Sequence, residues 1–205
     1  MIKVGLSGNR YSGKDRVANL FKQISIPIFE ADTILRFILN YNYELLGEIR
    51  EKLGNDIFLT DSLDFRNIKD PKTFDKVLDM VEPDIFRAYK LFNKKHEKCT
   101  YTIFHSSILF ERDWDKKMDL SISVFAPHTD RIKRCKYVTD LGLLAVNDLV
   151  KTEMDPLEKN RLSDYTIHNY NDEITVFGDT LSQVNKIDQK IIDKFLFNEA
   201  TKRVI

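Results

Sequence analysis

The sequence has few of the residues that mark specialised classes of protein. It contains two cysteines, Cys99 and Cys135, among 205 residues. That is too few for a disulfide framework, and their spacing fits no common set of zinc ligands. Lysine plus arginine number 32, as do aspartate plus glutamate. With no excess of positive charge to attract nucleic acid or an anionic membrane, we expect neither as a partner.

Long apolar runs are also lacking. A membrane-spanning helix needs about eighteen consecutive apolar residues, and no stretch of this chain is that long. Residues 1–8 contain no apolar signal core. Together with the low cysteine count, these absences predict a cytoplasmic protein. Apolar residues make up 42% of the chain and charged residues 31%, a balance typical of one compact globular domain.

Glycine is scarce and unevenly used. Of seven glycines, Gly5, Gly8 and Gly13 fall within the first thirteen residues. Because glycine costs backbone entropy, such clustering indicates a special turn or a ligand close to the main chain. Residues 2–6 read as a short strand, and residues 17–24 carry apolar side chains at helical spacing. The chain is therefore expected to open with a strand, a glycine-rich loop and a helix.

Residues 8–15, called the phosphate loop below, match the pattern G-x-x-x-x-G-K-[ST] except at its last position. In such a loop, backbone amides and the positive end of the following helix face a phosphate chain. The pattern predicts ATP binding by Gly8, Asn9, Arg10, Tyr11, Ser12, Gly13, Lys14 and Asp15. Lys14 is expected to reach the β- and γ-phosphates.

Asp15 stands where the pattern has a hydroxyl for Mg²⁺. A carboxylate can hold Mg²⁺ directly or through water; alternatively, it repels the triphosphate and the site is inactive. The Ser-Gly-Lys-Asp sequence resembles the loops of phage-type deoxynucleoside monophosphate kinases and animal phosphomevalonate kinases, which are active. We therefore favour Asp15 as a magnesium ligand.

Strands and helices are expected to alternate along the chain. Further strands are predicted at 26–29, 100–104, 120–125 and 165–167. Helices are predicted after Asp32, at 43–53, 71–81, 83–98, 128–138 and 141–153, and at the end, N-capped by Asp179 or Thr180. The order predicts the three-layer α/β fold of P-loop NTPases, with a parallel five-stranded sheet. Within one domain, 1–205, residues 32–98 are interpreted as a helical acceptor-binding insertion and residues 128–153 as a helical lid.

Several blocks, in the same order, resemble the dephospho-CoA kinase family. The phosphate loop and its flanks resemble the family's opening, and Glu30-Ala31-Asp32 resembles an Asp-Ala-Asp at the end of its second strand. Ile108-Leu109-Phe110-Glu111 and residues 155–169 resemble later blocks. The chain departs from the family at Glu82, where the family has His, and at Ser107, where it has Pro. The family's Arg and Gln before Pro156 are also missing.

The resemblance implies roles for residues outside the phosphate loop. Asp32 would be the catalytic carboxylate near the acceptor hydroxyl, and N-capping of a helix is the alternative. Arg87 would clamp an acceptor phosphate, or be a solvated helix residue. His105 and Glu111 flank the third strand's end and are candidates to contact the acceptor or a metal-bound water. For His105, a local hydrogen bond within the strand is the alternative.

Three more residues are candidates for nucleotide binding. Arg131 and Arg134 lie three residues apart, on one face of a predicted helix. They would close over the triphosphate and stabilise the moving phosphoryl group, or form an exposed charged face. Asn169 follows a short strand where the family contacts the base, although Asn-Tyr-Asn-Asp is also a good turn sequence.

Together these features predict an ATP- and Mg²⁺-dependent kinase. The acceptor implied by the resemblance is the ribose 3′-hydroxyl of dephospho-CoA, as in coenzyme A biosynthesis, or a related nucleotide-like small molecule. We expect a monomer or a weak homo-oligomer. Two alternatives stay open: a (deoxy)nucleoside monophosphate kinase, and a non-catalytic nucleotide-binding protein that retains the fold.

Overall fold

The structure is a computed structural model that describes residues 1–60, 62–63, 68, 70–138, 153–170 and 175–202. It divides into two compact units. The first comprises Met1–Phe29 and His96–Ile205, and the second comprises Glu30–Lys95. The second unit covers most of the predicted insertion, residues 32–98.

The described residues form a regular succession of elements. The strands are β1 (Ile2–Gly8), β2 (Ile28–Glu30), β3 (Phe58–Leu59), β4 (Ser62–Leu63), β5 (Tyr101–His105), β6 (Leu120–Phe125) and β7 (Tyr165–His168). The α-helices are α1 (Lys14–Gln23), α2 (Ala31–Tyr41), α3 (Tyr43–Leu53), α4 (Pro71–Lys95), α5 (His128–Val138), α6 (Pro156–Leu162) and α7 (Thr175–Lys202). A 3₁₀ helix covers Trp114–Lys117.

A five-stranded sheet with the order β2-β5-β1-β6-β7 organises the first unit. β1 runs parallel to both of its neighbours, so that Val4 lies opposite Ile103 on one side and opposite Leu120 on the other. β7 continues the parallel sheet beyond β6. Because the order reverses around β1, the loop that follows β1 lies at the sheet's topological switch point, where such sheets bind ligands.

The core of the first unit forms on this sheet. β1, β5 and β6 are almost wholly buried, as expected for inner strands covered on both faces. Helix α1 contributes Val17, Leu20 and Phe21 to the core, and helix α7 contributes Val184 and Ile191. The spacing of these side chains is that of one helical face.

The second unit is built from α2, α3, α4 and a short antiparallel hairpin, β3–β4. Asn42 begins α3 by accepting a hydrogen bond from the Leu45 amide at 3.2 Å. α4 packs on α2 and α3, and its buried residues include Val77, Val81 and Ile85. The predicted helix at 43–53 is confirmed, including its end at Gly54, which has a φ of 88°.

The predicted fold class, a parallel five-stranded sheet with covering helices, is confirmed. The predicted helix at 128–138 is also confirmed, whereas the one at 141–153 falls mainly on 139–152, outside the described residues. Among the described helices, none combines the length and apolar character that crossing a bilayer requires.

Two predictions about elements were wrong, and one element was missed. α4 continues through Pro83 rather than restarting there, and its buried apolar residues lie on both sides of the proline, at Val81 and Ile85 among others. The hairpin β3–β4 was not predicted, because two-residue strands leave no periodic signal. The last helix already includes Thr175 and therefore is not N-capped by Asp179 or Thr180.

The Tyr101 hydroxyl gives a pH-dependent test of this fold. It donates to Asp188 Oδ1 at 2.6 Å, and burial, reinforced by Asp188, raises its pKa well above the ordinary value. The folded state therefore keeps this proton at a pH where the unfolded chain loses it. This contribution to stability is complete below about pH 10 and declines above it, by about 1.4 kcal/mol per pH unit.

We expect Tyr101→Phe to lower the free energy of unfolding by about 1 kcal/mol at neutral pH. At about pH 11 the difference in stability from the wild type should be smaller. The wild type loses part of the hydroxyl's contribution at that pH, whereas the variant has no hydroxyl to titrate. Urea denaturation of both proteins at the two pH values measures it. An equal loss of stability at neutral pH and at about pH 11 would contradict the proposed role of the hydroxyl.

Candidate phosphate-binding site

The phosphate loop joins β1, which ends at Gly8, to α1, which begins at Lys14. Both glycines are required by their surroundings. A Cβ at Gly8 would lie 2.8 Å from the Val124 carbonyl oxygen, and one at Gly13 would lie 2.1 Å from Asn169 Nδ2. Gly13 also has a φ of 89°, which side chains rarely adopt. At these two glycines the loop thus packs closely against β6 and against Asn169, the residue that follows β7.

The start of α1 is arranged to receive an anion. Gly13 is its N-cap residue and supplies no side-chain cap, so the first amides of the helix are left to an external acceptor. The Lys14 side chain is 12% exposed and adds a positive charge at the same helix end. A phosphate is the type of group that such a helix N-terminus binds.

Ser12 supplies an independent sign of a ligand. Its side chain is fully buried, and its Oγ has no hydrogen-bond partner among the described residues. An unsatisfied buried hydroxyl costs free energy, so it calls for an explanation. A phosphate oxygen within the loop would supply the missing partner. The residues present therefore fit a bound phosphate chain.

Asp15 lies between the Lys14 ammonium group and the His105 ring. Its carboxylate is 3.4 Å from Lys14 Nζ and 3.4 Å from His105 Nε2. The Asp15 side chain is 74% exposed, whereas that of His105 is 8% exposed. Among the described residues, no group of three or more His, Cys, Asp or Glu side chains could hold a metal. A divalent cation at Asp15 would thus have to share its coordination with phosphate oxygens and water.

Three side chains hold the outer side of the phosphate loop by its carbonyl oxygens. Arg131 Nε donates to the Arg10 carbonyl at 2.9 Å. Arg134 donates to the carbonyls of Tyr11 and Ser12, each at 3.1 Å. The side-chain amide of Asn169 also reaches Ser12, at 2.7 Å. The structure therefore places these candidates at the loop, in contact with its main chain.

A carboxylate completes this outer shell. Glu153 accepts from the Arg10 amide at 2.8 Å and from Asn9 Nδ2 at 3.2 Å, and it pairs with Arg131. Burial lowers the pKa of Arg131, and the charge of Glu153 opposes that shift. Sequence reasoning missed Glu153, because an isolated acid outside any motif gives no signal of a distant contact.

Glu111 is also part of an ion pair that the sequence did not reveal. Its Oε1 lies 2.7 Å from Lys159 Nζ, which also donates to the Ser107 carbonyl at 2.9 Å. Lys159 is 1% exposed, so the Glu111 carboxylate balances a buried cation. The pair fixes the chain that follows β5.

Asp32 and Arg87 lie in the second unit. Asp32 is the second residue of α2, and the N-cap is Glu30, so Asp32 is not the capping residue. Arg87 is 73% exposed and pairs with Asp84 at 2.6 Å, an arrangement common on helix surfaces.

Comparisons with known proteins add an independent line of evidence. The family model described as dephospho-CoA kinase matches residues 2–175. A dephospho-CoA kinase of Clostridium perfringens is 29% identical over 143 residues, which cover 65% of this chain and 71% of the relative.

Solved structures share the fold. The crystal structure of TT1252 from Thermus thermophilus has a TM-score of 0.77 at 20% identity, covering 92% of this chain and 96% of that one. A dephospho-CoA kinase from Campylobacter jejuni has a TM-score of 0.62 at 18% identity, covering 94% and 98%. Sheet order, phosphate loop and family model agree: the chain belongs to the dephospho-CoA kinase family and is a phosphotransferase that uses ATP.

Proposed function

We propose that this enzyme phosphorylates the ribose 3′-hydroxyl of dephospho-CoA, with ATP and Mg²⁺ bound at the phosphate loop. The observation that carries nucleotide binding is the start of α1, which has no side-chain cap, beside the buried Ser12 hydroxyl, which has no partner among the described residues. Membership of the dephospho-CoA kinase family supports this acceptor.

The residues of the phosphate loop bind and orient the phosphate chain. Bound ATP supplies the phosphoryl group, and Mg²⁺ neutralises charge on its oxygens. Lys14 stabilises the negative charge that develops during transfer, and the loop amides keep the chain in line with the acceptor. The low exposure of the Lys14 side chain, 12%, strengthens its electrostatic contribution because water screens it less.

Asp15 is proposed to hold Mg²⁺, directly or through water. Its exposed carboxylate is accessible to a cation, and Lys14 and His105 stand beside it. The carboxylate takes over the task of the hydroxyl that usually follows the loop lysine. Arg134 and Asn169, which already contact the loop, are proposed to extend the nucleotide site.

Asp32 is proposed to orient the acceptor hydroxyl and to accept its proton. It lies in the first turn of α2, two residues beyond Glu30, the last residue of β2. Carboxylates perform such proton transfer when they lie within hydrogen-bond reach of the reacting group. Arg87, His105 and Glu111 stay proposed acceptor contacts. The cytoplasmic location and the monomer or weak homo-oligomer stay predictions.

The first prediction about the proposed function concerns Gly13. We expect Gly13→Ala to weaken ATP binding at least about tenfold, because the methyl group would collide with Asn169 and strain the backbone. Calorimetric titration with ATP measures the effect.

The matched control is Gly47→Ala on α3, where a Cβ meets nothing within 4 Å. It should bind ATP normally and gain about 0.5–1 kcal/mol of stability. Equal affinities in both variants would contradict the phosphate loop assignment.

The second prediction concerns Lys14 and the acceptor. With ATP, Mg²⁺ and dephospho-CoA, we expect a product phosphorylated at the ribose 3′-hydroxyl, identified by phosphorus NMR. Lys14→Met should lower kcat/KM by about 100- to 1,000-fold. Lys22→Met, at the exposed far end of α1, is the matched control and should leave it unchanged. Preferred transfer to nucleoside monophosphates would refute the proposed acceptor.

The third prediction concerns Asp32. We expect Asp32→Asn to lower kcat by about 10²- to 10⁴-fold, since the amide cannot accept the proton. ATP affinity should not change, because the proposed role is confined to the acceptor. Asp56→Asn, an exposed change in the same unit, is the control. Steady-state kinetics at varied concentrations of dephospho-CoA measure kcat in both variants. An unchanged kcat in Asp32→Asn would remove Asp32 from the mechanism.

A further inference from the structure

Glu153 contacts the phosphate loop from its outer side with both carboxylate oxygens. Oε1 accepts from the Arg10 amide at 2.8 Å, and Oε2 accepts from Asn9 Nδ2 at 3.2 Å. The neighbouring Met154 carbonyl accepts from the same Asn9 amide at 2.8 Å. Residues 153–154 therefore bind the first half of the loop through three hydrogen bonds.

The same carboxylate is the counter-charge of a buried arginine. The side chains of Arg131 and Glu153 are 2% and 13% exposed, so the pair is largely removed from water. While one guanidinium nitrogen of Arg131 pairs with Glu153, another donates to the Arg10 carbonyl at 2.9 Å. Both polar main-chain groups of Arg10, its N–H and its C=O, are thus fixed by a single ion pair.

We propose that Glu153 is a positioning residue for nucleotide binding, which fixes the Arg10 main chain together with Arg131 and so orders the phosphate loop for the nucleotide. The inference rests on the proposed binding of ATP at this loop. It also assigns the Arg10 amide to the protein rather than to the phosphate chain, because that amide already donates to Glu153.

Glu153 and Arg131 preorganise the phosphate loop. A loop that is ordered by its own protein does not have to be ordered by the ligand, so binding retains more of its free energy. Removing the carboxylate leaves Arg131 as a buried charge without its partner. It also leaves the Arg10 N–H without its acceptor and Asn9 Nδ2 with the Met154 carbonyl alone. The phosphate chain occupies the loop before and during transfer. The loss of ATP affinity should therefore appear in the KM for ATP rather than in kcat.

The experiment compares Glu153→Ala and Glu153→Gln with Glu158→Ala as matched control. Glu158 is an exposed acid on the neighbouring helix α6. ATP binding is measured by calorimetric titration without acceptor. We expect Glu153→Ala to raise the Kd for ATP at least about tenfold. Glu153→Gln should lie between this variant and the wild type, because it keeps one acceptor oxygen, and Glu158→Ala should equal the wild type.

Kinetics separate positioning from mere structural support. For Glu153→Ala, the KM for ATP should rise by the same factor as the Kd, while kcat and the KM for the acceptor stay within about twofold. Thermal unfolding of each variant shows which fraction is folded. If Glu153→Ala merely unfolds more easily and its folded fraction binds ATP as tightly as the wild type, the inference is overturned.

A double-mutant cycle with Arg131→Met tests the coupling. Because both side chains act on the Arg10 main chain, the combined variant should lose less ATP affinity than the sum of the two single losses. Fully additive losses would overturn the proposed clamp.

The binding measurement also separates this inference from the proposed function. If the wild type binds ATP but does not phosphorylate dephospho-CoA, the acceptor assignment fails while the role of Glu153 can still be confirmed by the Kd values. If Glu153→Ala binds ATP like the wild type, the role of Glu153 is overturned whatever the acceptor. A wild type that does not bind ATP overturns both.

Discussion

The main chain of the phosphate loop has to satisfy polar groups that point in opposite directions. The side that faces a phosphate chain must present N–H donors, so carbonyl oxygens are turned outward and need donors of their own. Arg131, Arg134 and Asn169 supply these donors to the carbonyls of residues 10–12. The open form of the loop therefore depends on side chains far away in the sequence.

This constraint explains why buried charges collect around the loop. A guanidinium that binds a carbonyl and is 2% exposed needs a counter-charge, which Glu153 provides. Similarly, Lys159 holds the Ser107 carbonyl and is balanced by Glu111. In both pairs a buried cation fixes backbone at the carboxyl ends of the strands, where α/β sheets bind their ligands. Charge in this part of the protein thus serves main-chain geometry.

The chain departs from the usual phosphate loop pattern at the last position of the loop. Asp15 replaces the hydroxyl after Lys14, and its charge is balanced by Lys14, whose Nζ lies 3.4 Å away, with His105 Nε2 also at 3.4 Å. The added negative charge at the loop therefore does not stand alone. His105 was identified from the sequence as a strand-end residue. Its proximity to Asp15 follows from the pairing of β5 with β1, which places the two strand ends side by side.

The sequence by itself determined the strand–loop–helix opening, the alternating order of strands and helices, and the family. These are local or ordered features: glycine spacing, apolar periodicity and collinear motifs. It predicted Lys14 and Asp15 as site residues from the phosphate loop pattern, and Arg131 and Asn169 from the family resemblance. Only the tertiary structure decided that the arginines contact loop carbonyls, that Glu153 and Lys159 complete buried ion pairs, and that α4 runs through Pro83. Each of these depends on contacts between distant segments, and such contacts leave no periodic trace in the chain.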